Sequence, residues 1–401
     1  MFQVYIWGAG YYVHQVINEI DYTKVNILGI LDHDKGKQEA GLIYSIPVIS
    51  PFGIEKKEFD YLIISAKNYK SIEDECRKLE IVPEKIIVYW KENHNSKIFV
   101  NRAQKVEELI KEKKRFQYRL DSAPYEWGLI KTPQIRKGAE VLDKIKKDHS
   151  SLCRFGDGEF EMIREKSRPW FQEPDMLLSK RLKEVLLSKE NYINIAIAQN
   201  FVGFEVYKEK DADAIREYMF GDTRDFILKL VDMDRVYYDT YVTRPYIIYK
   251  DKKNADEIFS LFKELWKDRE VVIIEGKYSR IGIDNGLMDN TCSISRILCP
   301  SQNAWKRYEI ILDTILKKVS KNSLICISLG PCATVLAYDL AKVGYQALDI
   351  GQLDNEYEWY IHKAKERIEI PGKMVAEISG NRNIENYSNE TYNSQIIAVI
   401  E

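Results

Sequence analysis

The chain has no long apolar run, no surplus of either charge, and no pair of cysteines at metal-ligand spacing. Its apolar runs fall well short of the roughly 20 residues that a membrane-spanning helix needs, so any membrane association would be peripheral. Lys and Arg total 60 against 62 Asp and Glu, a formal net charge of −2, which leaves no basic excess to advertise a nucleic-acid partner. The six cysteines, at positions 76, 153, 292, 299, 326 and 332, are scattered. Several sit inside apolar runs, where a reduced thiol behaves as a small hydrophobe. The N-terminus opens on a strand-like run without the charged and apolar regions of a signal peptide. These absences predict a cytoplasmic protein, with any membrane contact confined to the inner face.

What is present is 401 residues, enough for two or three domains with substantial cores. Residues 1–95 read as a first α/β domain. Strands are expected at 2–8, 26–32, 47–50, 61–66 and 85–90, with helices after Gly10 and over 69–80, an alternation that implies parallel pairing. Gly8-Ala-Gly10 after the first strand and Asp32 in the second resemble a Rossmann dinucleotide fingerprint. Val13 occupies the third glycine position, so the fingerprint is incomplete. The domain is similar to the small Rossmann-like modules attached to sugar-modifying enzymes, and a structural or regulatory role is expected of it.

Residues 96–124 read as a charged helical connector, preceded by the polar run 91–97. Residues 125–401 again alternate. An amphipathic helix is expected at 133–148, a loop at 168–175, helices at 178–188, 211–231, 254–267, 303–318 and 332–343, and strands at 193–199, 270–276, 324–330 and 346–351. The second domain is therefore also α/β with a largely parallel sheet.

The stretch Ser151-Leu-Cys-Arg-Phe-Gly-Asp-Gly-Glu-Phe160 concentrates chemistry. Gly156 and Gly158 let backbone approach a ligand. Asp157 and Glu159 offer hard oxygen ligands to a divalent cation, Mn²⁺ or Mg²⁺, that is also held by substrate phosphates. Arg154 is suited to a phosphate oxygen. The plainer account is a strand entering a tight turn whose charges face water. Ligands in such sheets bind beyond the carboxyl ends of the strands. Glu275, Lys277 and Arg280 follow a second strand there, Gly330 to Thr334 a third, and Gln352, Asp354, Glu356 and Glu358 a fourth. Gly330-Pro-Cys-Ala-Thr334 opens a helix, an end that favours anions. Each residue also has a structural account: Pro331 for helix geometry, Thr334 for packing, Arg280 for pairing with Glu275, and the acidic run for capping a helix.

Together with residues 151–160, the run from Ile327 to Trp359, Thr243-Arg-Pro-Tyr246, Val272 to Arg280 and Arg296 to Ala304 resemble bacterial glycosyltransferases of the GT-D fold type over about residues 125–375. That resemblance implies a metal-dependent transfer of sugar from a nucleotide sugar, usually a UDP-sugar, to a glycan or glycoprotein acceptor, lipid-linked acceptors included. It adds Arg244 and Asn303 to the donor-binding candidates. An acceptor hydroxyl must lose a proton as it attacks, and Glu358, then Asp354 and Glu356, are the expected bases. Gln352 stands where the family tends to carry His, and an amide cannot titrate. A nucleotide-sugar hydrolase, or a non-catalytic nucleotide-sugar-binding protein, remains the alternative.

Overall fold

The computed structural model describes residues 1–91, 97–100, 102–165, 172–375, 378 and 389–401. Most of the polar run 91–97 and the first half of the loop 168–175 lie outside the described residues. The chain divides into two compact units, Met1–Lys114 and Arg115–Glu401. The division falls inside one continuous helix, Arg102–Glu126, within the stretch that the sequence marks as a connector.

The first unit holds six strands: β1 (Phe2–Trp7), β2 (Val25–Leu31), β3 (Leu42–Ile43), β4 (Ile46–Ile49), β5 (Tyr61–Ile64) and β6 (Ile86–Val88). Their order is β3-β4-β2-β1-β5-β6, all parallel except the β3–β4 hairpin. The period-2 alternation of β1 explains its central place. Val4 and Ile6 pack on Val13, Val16 and Ile17 on one face, while Tyr5 and Trp7 pack on Ile54, Phe59 and Cys76 on the other. Gly8 has φ +113°, and a Cβ there would come within 2.8 Å of Ser65 Oγ. The Asp32 carboxylate is already engaged, accepting from Ala9 N at 2.8 Å and from Lys37 Nζ at 2.9 Å.

The second unit is built on nine strands: β7 (Gln134–Arg136), β8 (Ser151–Phe155), β9 (Ile193–Ile197), β10 (Val236–Asp239), β11 (Glu270–Gly276), β12 (Ser293–Cys299), β13 (Leu324–Ser328), β14 (Gln346–Asp349) and β15 (Ile396–Val399). Their order is β15-β12-β11-β13-β14-β8-β9-β10-β7, and every neighbouring pair is parallel. Alternate residues feed the two faces of this sheet. Cys153, Phe155, Val272, Ile274, Ile325 and Ile327 join one core, with the helix Pro331–Lys342 buried along most of its length against it. Leu152, Val271, Ile273, Leu324 and Cys326 join the other, under the helices Gly138–Asp148 and Lys253–Trp266. All six cysteines are free, and only Cys292 is exposed. Among the described residues no helix is long and apolar enough to cross a membrane.

Several elements differ from the sequence expectation. The stretch at 133–148 begins with the short strand β7 before its helix starts at Gly138. The expected helix at 211–231 breaks at Gly221, φ +70°, into Glu209–Met219 and Asp222–Leu230. The strands β3, β10, β12 and β15 have no counterpart among the strands expected from the sequence. The Gly-Asp-Gly segment is the start of a helix, Asp157–Ile163, rather than an isolated turn.

In the middle of the sheet, β8 and β14 share a single register pair, Leu152 with Leu348. Side chains close this seam. Ser151 Oγ accepts from Ala347 N at 3.0 Å, and Gln346 Nε2 donates to Ser150 O at 3.2 Å. At its carboxyl end Arg154 donates through Nη2 to Asp349 Oδ1 at 2.8 Å and through Nε to Asp349 O at 2.9 Å. Gly351 (φ +45°) lies flat against the guanidinium, where a Cβ would overlap it. Gly351→Ala should therefore displace Arg154 from Asp349 and lower stability by about 2–4 kcal/mol, as expected for breaking a buried pair. A urea midpoint equal to that of the parent protein would show that the seam does not depend on this contact.

Candidate active site

The carboxyl ends of β8, β9, β10, β11, β13 and β14 form one rim, as the parallel order requires. The helix Asp157–Ile163 starts there directly after β8, with Gly156 as its N-cap. Glu159 turns back so that its Oε2 accepts from Gly156 N at 2.8 Å, the carboxylate half of a capping box. Asp157 is exposed in the first turn, and its Oδ1 accepts from Gly158 N at 2.9 Å. Burial pushes the Glu159 carboxyl up to about 7, and the nearby Asp349 charge adds to the shift. A carboxylate that is costly to ionise without a counter-charge suits a site that receives a cation.

Among the described residues no group of three or more His, Cys, Asp and Glu side chains forms a metal cage. The Asp157 and Glu159 pair fits a hard divalent cation only if other oxygens complete the shell, as a diphosphate and water would. A concavity opens on the same rim, lined by Gly276, Ser279, Ser301, Ser328, Gly351 and Asp354, with Gln352 and Asn355 beside them. Small residues and hydroxyls at strand ends give it a polar floor that backbone can approach closely.

The other expected donor residues divide by environment. Arg154 is committed to Asp349 and to Thr243, whose Oγ1 accepts from Nη1 at 2.8 Å, so it holds the rim together instead of pointing a free fork at a phosphate. Thr334 is fully buried and donates to Arg154 O at 2.9 Å. Gly330, φ +55°, caps the helix that carries Thr334. Glu275 is fully buried with Arg296 Nη1 at 2.6 Å and also accepts from Ile281 N at 2.8 Å. Arg280 donates to Gly372 O, so the expected Glu275–Arg280 pairing is replaced by Glu275–Arg296. Lys277 is exposed at the end of β11. Asn303 accepts from Glu173 N at 2.8 Å, away from the concavity's lining. Arg244 is half-buried among the charges of Glu356 and Asp157, and desolvation lowers its pKa.

The acidic run forms most of a helix, Leu353–Ile361. Glu356 is fully buried, and its Oε2 accepts from Tyr246 N at 3.0 Å and Ile247 N at 2.8 Å, which fixes the turn after Arg244. Burial raises its pKa. Asp354 Oδ2 and Glu358 Oε1 both receive Lys373 Nζ at 2.7 Å. Asn285 Nδ2 bridges the same two carboxylates at 2.8 and 2.9 Å. Glu358, the base expected first, thus sits in a buried ion-pair network whose partners are the protein's own, and Glu356 has no route to a hydroxyl from outside. Asp354 alone of the three borders the concavity. Asp349, Asn285, Lys373 and the three serines escaped the sequence reading. Of these only Asp349, a charge at the end of the apolar strand β14, carries a signal that could have found it.

A model of the glycosyltransferase GT-D fold matches residues 152–378, more than half of the chain and the whole of this rim. The chain belongs to the GT-D glycosyltransferase family. A second family model, described as C2185-like, N-terminal, covers residues 1–87. Two relatives come from streptococci. A probable glycosyl transferase Gly of Streptococcus gordonii is 37% identical over 262 residues, 65% of this chain and 38% of that protein. Glycosyltransferase GlyD of Streptococcus pneumoniae is 36% identical over 269 residues, 67% of this chain and 32% of that protein. The chain therefore spans about a third to two fifths of the length of these relatives. Among solved structures, a domain of unknown function 1792 described as having a distinct glycosyltransferase fold aligns at TM-score 0.65 and 33% identity, over 72% of this chain and 100% of that one. A glycosyltransferase of the same domain type from Streptococcus sanguinis aligns at TM-score 0.62 and 35% identity, over 67% of this chain and 100% of that one.

Within this GT-D domain the Lys373 cluster is open to a direct test. Burial alone would lower the lysine's pKa, but the charges of Asp354 and Glu358 outweigh it and raise the value above 10.5. Its stabilising contribution is therefore complete below pH 10.5 and is lost only as pH rises through the higher folded value. Lys373→Met should cost about 3–5 kcal/mol at pH 7, because two carboxylates are left buried without a cation. The loss should shrink as pH rises well above 10.5 and the parent's lysine gives up its charge. Urea unfolding in both pH ranges measures it, and a pH-independent loss would point to packing instead of charge.

Proposed function

We propose that this protein is a metal-dependent glycosyltransferase that takes sugar from a nucleotide sugar, with UDP-sugars as the donor class, and passes it to a glycan or glycoprotein acceptor, lipid-linked glycans included. One observation carries the reading: Asp157 and Glu159 stand in the first turn of a helix on the same rim as the serine-lined concavity. There Asp157 and Glu159 would hold the cation, Mn²⁺ or Mg²⁺, that binds the donor diphosphate. When bound, the metal would supply positive charge to offset the negative charge that gathers on the departing diphosphate.

The protein's own groups have distinct parts in this scheme. The half-buried Arg244 faces the anionic end of the donor, and Gly156 and Gly158, lacking side chains, let the donor approach the backbone closely. Ser279, Ser301, Ser328 and Gln352 offer hydrogen bonds to hydroxyl groups. Arg154, Asp349 and Thr334 keep the Asp157 turn and the Gly351 turn at a fixed separation. The acidic run holds the walls: Glu356 fixes the Tyr246 turn, and Asp354 with Glu358 anchors Lys373. The free cysteines and the absence of spanning helices among the described residues support a cytoplasmic location, with membrane contact at the inner face if the acceptor is lipid-linked.

The test is release of UDP from a panel of UDP-glucose, UDP-galactose, UDP-N-acetylglucosamine and UDP-N-acetylgalactosamine, with Mn²⁺ and p-nitrophenyl glycosides as acceptors. At least one donor should be turned over, and transfer should stop in excess chelator. Asp157→Ala and Glu159→Ala should each lower turnover about a hundredfold or more while the melting transition persists. Full activity in both variants, or undiminished activity in chelator, would remove the metal from the scheme.

A further inference from the structure

Tyr207, Tyr241 and Tyr249 have no part in the donor scheme, yet they surround a carboxylate on the same rim. Asp239 is the last residue of β10 and caps the short 3-10 helix Thr240–Thr243. Both hydrogen bonds that it accepts end on Oδ1, from Tyr241 N at 3.0 Å and Gln199 N at 3.3 Å. The side chain is half-buried, and Oδ2 is not among the buried atoms lacking a partner. One oxygen is thus fixed by backbone and the other is left for an incoming group.

Three tyrosines wall this carboxylate. Tyr207 packs on Tyr241 at 5.7 Å and on Tyr249 at 5.2 Å between ring centroids, and the phenols of all three feel the charge of Asp239. Tyr241 donates to Asn200 Oδ1 at 2.8 Å, which holds its ring in place. Aromatic faces with polar edges are suited to a sugar, whose C–H face stacks while its hydroxyls hydrogen-bond. Asp239 lies close to the Asp157 turn. Asp239 and Phe155 both pair with Ile197, from either side of β9. Two strand spacings of about 4.8 Å therefore separate Asp239 from the end of β8, roughly 10 Å in all. Tyr241 also feels the charges of Asp157 and Arg244.

We propose that Asp239 is the catalytic base of the transfer and that Tyr241 and Tyr249, backed by the buried Tyr207, line the subsite for the acceptor sugar. This rests on the glycosyltransferase reading above. Asp239 Oδ2 takes the proton of the acceptor hydroxyl as that oxygen forms its bond to the anomeric carbon. The bond from that carbon to the donor's phosphate oxygen breaks, its electron pair leaves on the nucleoside diphosphate, and the proton passes from Asp239 to solvent. Burial lifts the Asp239 carboxyl to about 7, so at neutral pH it exchanges a proton readily. The groups facing it are the three phenols, with Arg244, Asp157 and Asp211 acting on Tyr241 behind them.

Asp239→Asn in the full chain keeps an oxygen for the two backbone amides while removing basicity. Calorimetry with UDP and Mn²⁺ should give parent-like affinity. Transfer from the UDP-sugar panel to p-nitrophenyl glycosides should fall about a hundredfold or more. In the parent protein, at saturating Mn²⁺, transfer should decline as pH drops through about 7 and the base protonates, and Asp239→Asn should lose that limb. Tyr249→Phe should raise the acceptor KM with little change in kcat. Parent-like transfer in Asp239→Asn, or an acid limb that survives in it, overturns the proposal. A collapse of UDP–Mn²⁺ affinity in Asp239→Asn would also overturn it, by making Asp239 part of the donor site. A parent protein that binds no UDP–Mn²⁺ defeats the donor reading itself, and the base assignment with it.

Discussion

The buried ion pair between Arg154 and Asp349 is the contact on which the rest of the second unit depends. It stands where β8 meets β14, at the one place where the nine-stranded ladder is reduced to a single backbone register pair. Burial raises the Asp349 pKa, and the Arg154 charge and its hydrogen bonds oppose that rise. A buried pair seldom adds much net stability over an apolar substitute, but losing one partner is expensive, so it acts mainly to specify geometry. Here the specified geometry is the separation of two loops: the one that opens the Asp157 helix and the one that passes through Gly351 into the acidic run. Thr334 and Thr243 extend the same network to the helix behind the sheet and to the Tyr246 turn.

The rim built on that pair divides its charges by burial. Carboxylates that are deeply enclosed have partners from the protein: Glu275 with Arg296, Glu356 with backbone amides, Asp354 and Glu358 with Lys373. Those closer to solvent, Glu159 and Asp239, accept backbone hydrogen bonds through one oxygen each. A carboxylate can act on a substrate only if its lone pairs are not already committed, so residue type at the rim says less about chemistry than the count of unfilled positions does.

Much of the α/β architecture was legible in the sequence because apolar strands buried on both faces read as short continuous runs. The runs at 193–197, 270–276 and 324–328 have little polar content to obscure them. β12 was not legible, since Arg296 interrupts it, and a charge in mid-strand suggests solvent unless its partner is known. That partner, Glu275, lies on the adjacent strand β11 and becomes visible only in three dimensions. The 151–160 motif was recognisable by composition, but Glu159 capping its own helix is a matter of dihedral angles that composition does not encode. The acidic run is a similar case. Three carboxylates in five residues look alike in sequence, and only burial reveals that a lysine nineteen residues beyond Asp354 occupies two of them.

The seam between β8 and β14 also bears on how the chain reaches its fold. Arg154 and Asp349 are 195 residues apart, whereas each half of the sheet pairs strands that are close in sequence: β8 with β9 and β10 on one side, β11 with β12 and β13 on the other. Contacts of long sequence separation carry the largest loop-closure cost and tend to form late. Two half-sheets can therefore assemble from local pairings and meet at a join made largely of side chains. The rim that carries the candidate site residues comes into being only at that closing step, so a folding intermediate with both half-sheets intact would have most of its strands in place and no assembled rim.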